Sequence, residues 1–525
     1  MKSVYFPKRM FFIPFHLKRS FKIILLLLTF AVSTVFASDD VQQANEDSRK
    51  LVKQAKKLTR SGNLPEAEKV LRRALEINPG SSDAKLNLAH IFIKQKRLLE
   101  AYDLSFNIVK IEPKNSFAYA VLGATLLNAG NFREAEKAII ISIKLNRKES
   151  LAWFGLGMLD FYENRINESL DSLNEAIYYE SNEPDYIFAF AQVSSRAEKY
   201  KDAAQAYRRY LTISGDADGD RRERIKGLID FLNYLGNQQS LYTVAGANKT
   251  KVKFSLIGNR PVITLKVNGK DETLRFVLDT GSGISVISEK MARRLNIKSI
   301  ARGGNARGIG GDGKFEIVYG FLRSVSIGDA KIRNVPVYIR QFHTSNEEID
   351  GYIGLSLISE FLTTIDYGDL TFELERKDSV VKRAIPADTL SLPLRLTSSG
   401  FLSGEVQLEG IQVPLNFIVD TGASVSVISN QLANTGEMSR FLLDEKMRVI
   451  GAAGVTENVS SYLLPRVTFG SHSRESITAI RLDLDIINET SGFEQAGILG
   501  GNFLKNYRLT FDFENSKVIF VPINK

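Results

Sequence analysis

Apolar and polar positions along residues 48–215 recur with a fixed step. Glu66-Ala67 returns as Glu100-Ala101, Glu134-Ala135, Glu168-Ser169 and Asp202-Ala203, each 34 residues after the last. Pro79 and Pro113, suited to ending helices, keep the same step. A period of this length holds two helices, and the pattern predicts about five units starting near residues 48, 82, 116, 150 and 184. A further helix near 220–235 is expected to cap the stack, which completes an array over 48–235.

A polar stretch, 236–251, reads as a linker, and beyond it the period changes. Val262–Val267 is β-rich and runs into Asn268-Gly269, a strong hairpin signal. From here two segments align without a gap over some 45 residues: Gly269 matches Gly410, Phe276 matches Phe417, Ser285–Ser288 matches Ser426–Ser429, and Ile309-Gly310 matches Ile450-Gly451. Further on, Tyr352-Ile-Gly354 pairs with Ile498-Leu-Gly500 at a larger offset. Two homologous β lobes follow, 252–376 and 392–523, joined by a linker at 377–391.

In the third helical unit Tyr119, Leu122, Gly123 and Ala135, and in the fourth Trp153, Leu156, Gly157 and Ala176, fall on the positions of the tetratricopeptide motif. The helical region therefore resembles a tetratricopeptide-repeat solenoid. The resemblance implies a protein or peptide partner on the repeats; the bland alternative is an array that only spaces other domains.

The net charge of +9 changes little. Lys2, Lys8, Arg9, Lys18, Arg19 and Lys22 lie in residues 1–38, which hold no acid, so the remainder gives no case for nucleic acid. Those basic residues precede the apolar run Ile23–Ala37, with small residues Val35 and Ala37 before Ser38. Residues 1–37 read as a signal peptide of an exported protein, with Met10 as a possible alternative start and an uncleaved anchor as the competing reading. No other segment looks transmembrane. Cysteine is absent, which excludes disulfides and thiol nucleophiles. The four histidines are scattered, so neither a metal site nor a cofactor is expected.

The candidate chemistry lies in two copies of one string. Phe276–Ser282 and Phe417–Ala423 each place a carboxylate, Asp279 or Asp420, between an apolar run and a Thr-Gly turn. Two acids sharing one proton can run acid–base hydrolysis without a metal. Two more elements are duplicated in register: Gly308–Gly313 with Val449–Gly454, and Tyr352–Ile358 with Ile498–Leu504. Gly308-Ile-Gly-Gly-Asp-Gly313 also fits a dinucleotide loop, but a strand-like segment follows it where a helix is required.

On these three duplicated elements the β half resembles the aspartic proteases, most closely the retropepsin-like branch. The whole is thus expected to be an all-α tetratricopeptide-repeat solenoid followed by an all-β two-lobed aspartic-protease domain. The resemblance implies a peptide or protein substrate, Asp279 and Asp420 as the catalytic dyad, and Thr280, Gly281, Thr421 and Gly422 as its supports. It also implies substrate-binding flaps at Gly308, Ile309, Gly310 and Gly311 and at Ile450 and Gly451. Each lobe supplies one acid, so one chain could build the site. The competing class is an inactive scaffold that keeps the fold to bind peptides. The array holds no candidate catalytic group, so the β half is expected to cleave small peptides without it.

A bacterial, periplasmic or secreted location is the corresponding expectation. N-terminal sequencing of protein from the cell envelope should begin at Ser38; an intact leader in the membrane fraction would show an anchor instead.

Overall fold

The computed structural model describes residues 24–215, 219–343, 349–379 and 390–523, with side chains from residue 42 onward. Most of the expected leader lies outside them; residues 24–60 form one helix that runs through Ala37 and Ser38. Among the described residues no helix is long and apolar enough to cross a membrane.

The 34-residue step becomes paired helices. The first helices of successive units start at Ser82, Ser116, Ser150 and Pro184; the second at Leu64, Leu98, Phe132, Ile166 and Tyr200. Asn63, Ser81, Asn115 and Asn131 cap their helices by accepting an amide hydrogen bond on the side chain. Ala67, Ala101, Ala135 and Ala203, the repeated small residues, are fully buried where the paired helices meet. The array curls on itself: Arg60 in the first unit reaches Glu183 before the fifth, 3.1 Å away, and also Glu180.

Among the described residues the β half has three sheets. In the first lobe the order is 243–246, 330–340, 286–288, 351–353, 273–278, 260–267, 314–327, 299–307. The second lobe repeats it from 402–408 through 415–419, 497–499, 426–429, 472–482 and 454–469 to 442–451. The third sheet belongs to both lobes, in the order 390–393, 517–522, 507–512, 361–366, 371–376, 249–253. At its centre Thr364 pairs with Thr510, one residue from each lobe, with their hydroxyls 3.0 Å apart. Phe361, Phe372, Phe511 and Phe520 are fully buried on this sheet, so the base of the molecule is one core.

Two expectations need correction. Residues 236–251 are no linker: Thr243–Gly246 pairs with 330–340, and Lys249–Lys253 forms the edge of the shared sheet. Polar side chains suit this edge strand, because one flank faces solvent. The linker expected at 377–391 is shorter at its end, since Leu390–Pro393 pairs with the C-terminal strand; residues 380–389 lie outside the described residues.

Nor is the array a detachable module. The capping helix Gly219–Leu235 lies on the first lobe, where Phe231 stacks on Tyr319 at 4.4 Å and Tyr234 meets Phe321 edge-on. Phe231 and Leu235 are buried in the same core as the lobe's own strands, so removing the array would open that core. At the second lobe Phe493 is fully buried among helical residues, 4.9 Å from the Phe132 ring and 5.0 Å from Tyr162. Glu494 N–H donates to the Asn128 carbonyl at 2.8 Å beside it.

Phe493→Ala should therefore cost about 3 kcal/mol, the usual loss for a deleted core phenylalanine. In denaturant unfolding, fluorescence of Trp153 in the array should separate from a β-sheet probe in this variant, and the two should coincide in wild type.

Candidate active site

Each apolar strand before a Thr-Gly turn pairs in parallel with a short strand from the far end of its own lobe. Thr273–Leu278 lies beside Gly351–Ile353, and Leu415–Val419 beside Gly497–Leu499. The carboxylate residue that ends each strand is held there: Asp279 N–H donates to the Ile353 carbonyl at 2.9 Å and Asp420 N–H to that of Leu499 at 3.0 Å.

The threonines cross between lobes. Thr280 Oγ1 donates to the Val419 carbonyl and Thr421 Oγ1 to the Leu278 carbonyl, both at 2.7 Å. Each hydroxyl also accepts the other threonine's N–H, at 3.1 and 3.0 Å. Both side chains are fully buried, and all four donors and acceptors are used.

This grid brings the two carboxyl groups into hydrogen-bond contact with each other. Gly281 N–H donates to Asp279 Oδ1 at 3.0 Å; Gly422 and Ala423 N–H donate to Asp420 Oδ1 at 2.7 and 3.2 Å. The glycines are required by the close approach: a Cβ on Gly281 would fall 2.3 Å from the Asp420 carboxyl carbon, and one on Gly422 2.6 Å from Asp279 Oδ1.

The two acids differ. Burial, then the charge of Asp420, then the hydrogen bond Asp279 donates to it, push Asp279 well above the ordinary carboxylate range. Burial raises Asp420 too, but the amides of Gly422, Ala423 and Gly281 and the hydrogen bond from Asp279 oppose it. Both carboxyls are thus raised, Asp279 the more strongly, as expected of two buried acids that share a proton.

Above them, the hairpins 299–327 and 442–469 meet tip to tip. Gly311 N–H donates to the Val455 carbonyl at 3.2 Å and Ala453 N–H to the Ile309 carbonyl at 2.9 Å. Ile309 reaches across into the apolar wall of the second lobe, while Ile450 faces outward, 46 % exposed. Gly308, Gly310 and Gly451 form the turns around this contact. The array touches the site's surroundings in two places. Arg224 of the capping helix donates to the Asn305 carbonyl in the first hairpin at 3.0 Å. Arg196 donates to the carbonyls of Thr397 and Ser398, at 2.9 and 3.2 Å, in a loop that abuts Gly283. No pattern in the sequence singled out Arg196 or Arg224. Among the described residues no three or more His, Asp or Glu side chains converge as a metal site would.

Residues 263–357 and 404–503 match the family described as aspartyl protease, and residues 58–104 match the tetratricopeptide repeat. The chain carries an aspartyl protease domain behind tetratricopeptide repeats. Among curated proteins it is similar to anaphase-promoting complex subunit 3 of Schizosaccharomyces pombe, 23 % identical over 30 % of this chain and 23 % of that protein. It is also similar to the protein O-mannosyl-transferase TMTC3 of Homo sapiens, 26 % identical over 35 % of this chain and 20 % of that one. The chain thus spans about a fifth of the length of these relatives. Among solved structures, a thermophilic tetratricopeptide-repeat protein of Thermus thermophilus is 19 % identical with a TM-score of 0.30, covering 35 % of this chain and 98 % of its own. The pilF protein of Pseudomonas aeruginosa is 18 % identical with a TM-score of 0.27, covering 37 % and 89 %.

Thr280→Val and Thr421→Val should each lower stability by about 1–3 kcal/mol, because each leaves the opposite threonine's buried N–H unpaired. Serine at either position should restore most of it. Thermal melts of the four variants are the check.

Proposed function

We propose that the protein is an exported aspartic endopeptidase that hydrolyses peptide bonds through Asp279 and Asp420. The observation that carries this reading is the buried, touching carboxyl pair on the crossed threonine grid, with both acids raised and backbone amides partly opposing the rise of Asp420. In the proposed cycle Asp420 takes a proton from a water between the carboxyls. The water oxygen attacks the peptide carbonyl carbon, and Asp279 gives its proton to the carbonyl oxygen. Collapse of the tetrahedral centre breaks the C–N bond: the amine leaves with the proton held by Asp420, and one hydroxyl of the gem-diol returns its proton to Asp279, which leaves the carboxylic acid product and restores the pair. The flap tips would hold an extended peptide by its backbone while excluding solvent. The basic and apolar leader supports export.

The repeats would bring a protein substrate or partner to this site, which raises its local concentration. Because the capping helix lies on the first flap hairpin, an occupant of the array would also bear on the flap. The competing reading, an inactive peptide-binding scaffold, differs in one measurable respect: it cleaves nothing.

Asp279→Asn and Asp420→Asn should each lower kcat/KM on an unstructured peptide by at least about a thousandfold. Activity against pH should be bell-shaped, with both limbs belonging to the pair. Stability gives an independent check. Asp279 is raised above its unfolded value of about 3.9, so its contribution is fully present below that pH and is lost as pH rises towards the folded value. Asp279→Asn should flatten that part of the melting-temperature profile and melt higher than wild type near neutral pH.

A further inference from the structure

The two lobes build matching walls around the carboxyl pair, and strand register shows which residues correspond. In the first lobe Val286 lies beside Tyr338 and Ser288 beside Arg340; in the second Val427 lies beside Ile480 and Ser429 beside Leu482. Tyr352 flanks Val286 as Ile498 flanks Val427. In the second wall Val427, Ile480, Leu482, Ile498 and Met447 pack together as one apolar cluster, with Ile309 of the opposite flap laid over them.

The first wall is different. Where the second lobe has Leu482, the first has Arg340, mostly buried. Its guanidinium carbon lies 5.4 Å from the Phe315 ring, on the flap strand, and 5.7 Å from that of Phe342. Phe342 packs in turn on Tyr352, ring centres 5.3 Å apart. Arg340 Nε is buried without a hydrogen-bond partner, and among the described residues no carboxylate forms an ion pair with the side chain. Its positive charge reaches Asp279. Aromatic faces soften the cost of burying a guanidinium, but a bidentate anion satisfies it far better. The position lies between the flap and the reacting carboxyls, where a side chain of an extended peptide would enter.

We propose that Arg340 forms an acid-selecting subsite, so that the cleft takes a substrate with a glutamate or aspartate side chain on the first-lobe side and an aliphatic one on the second. This rests on the peptidase reading for the identity of the occupant, and it names the substrate class of that site. A role of Arg340 confined to the charge of Asp279 would alter binding of every peptide alike. A subsite makes the effect depend on one side chain.

The test uses the full chain and peptides that contain a non-cleavable hydroxyethylene unit in place of the scissile bond. Glu and Gln are exchanged at each position flanking that unit, and binding is measured by calorimetry. Wild type should prefer Glu over Gln by about tenfold or more, on one side of the unit only. Arg340→Met should bring that ratio near one, and Arg340→Lys should keep part of it. Equal binding of Glu and Gln peptides by wild type, or an unchanged ratio in Arg340→Met, overturns the subsite, as does failure to bind any of the peptides. Cleavage of the matching ordinary peptides separates the two ideas. Cleavage without Glu preference sinks the subsite and leaves the peptidase standing. Glu-selective binding with no cleavage does the reverse.

Discussion

Two carboxyl groups do not stay in contact unless something stronger than their repulsion holds them there. Here it is the crossed threonine grid. Thr280 and Thr421 each donate to the other lobe's strand and accept the other's amide, so four hydrogen bonds join the lobes directly beneath the acids. In a buried setting such bonds are costly to leave unmade, and losing one partner strands the other. The repulsion is then relieved in the remaining way open to it: one proton stays on the pair. The raised affinity of Asp279 for a proton follows from its burial and then from the nearness of Asp420 that the threonines enforce.

The same logic of shared burial explains why the helical and β halves form one body. The capping helix uses one apolar face against the first lobe's core, with Phe231 on Tyr319, while the adjacent Leu232 packs into the last repeat. Phe493 does the converse, a β-lobe residue filling a gap among helices. Each half therefore completes the other's core. Two further contacts fall on the first flap hairpin and on the loop 397–400 beside Gly283, close to the acid pair. A change of curvature in the array has a short mechanical path to the cleft.

Much of this was legible because repetition is visible in a single sequence. The 34-residue step placed the helix starts at 82, 116, 150 and 184, and the duplicated Asp-Thr-Gly placed the acids. What stayed hidden depends on contacts that no period marks. The strands 243–246 and 249–253 lack an apolar run, since they lie at sheet edges, and so read as linker. Phe493 and Arg196 act across more than 200 residues of chain, and nothing local distinguishes them. Arg340 was missed for a related reason. The gapless alignment of the lobes ends near Gly310 and Gly451, and the offset then changes, so only strand register sets Arg340 against Leu482.

That last pairing bears on why both lobes lie in one chain. A site assembled from two identical subunits must present the same wall on both sides of its acids, because one sequence builds both. Once the halves are fused, the constraint applies only to what must stay symmetric. The threonine grid and the Asp-Thr-Gly corners have stayed so, residue for residue. The walls and flaps have not: Arg340 stands against Leu482, Tyr352 against Ile498, and Gly308 against Val449. The acids differ too, since Asp420 accepts from two backbone amides and Asp279 from one. Asymmetry is thus concentrated where a substrate would have to be told one end from the other, and in the backbone amides around the acid pair.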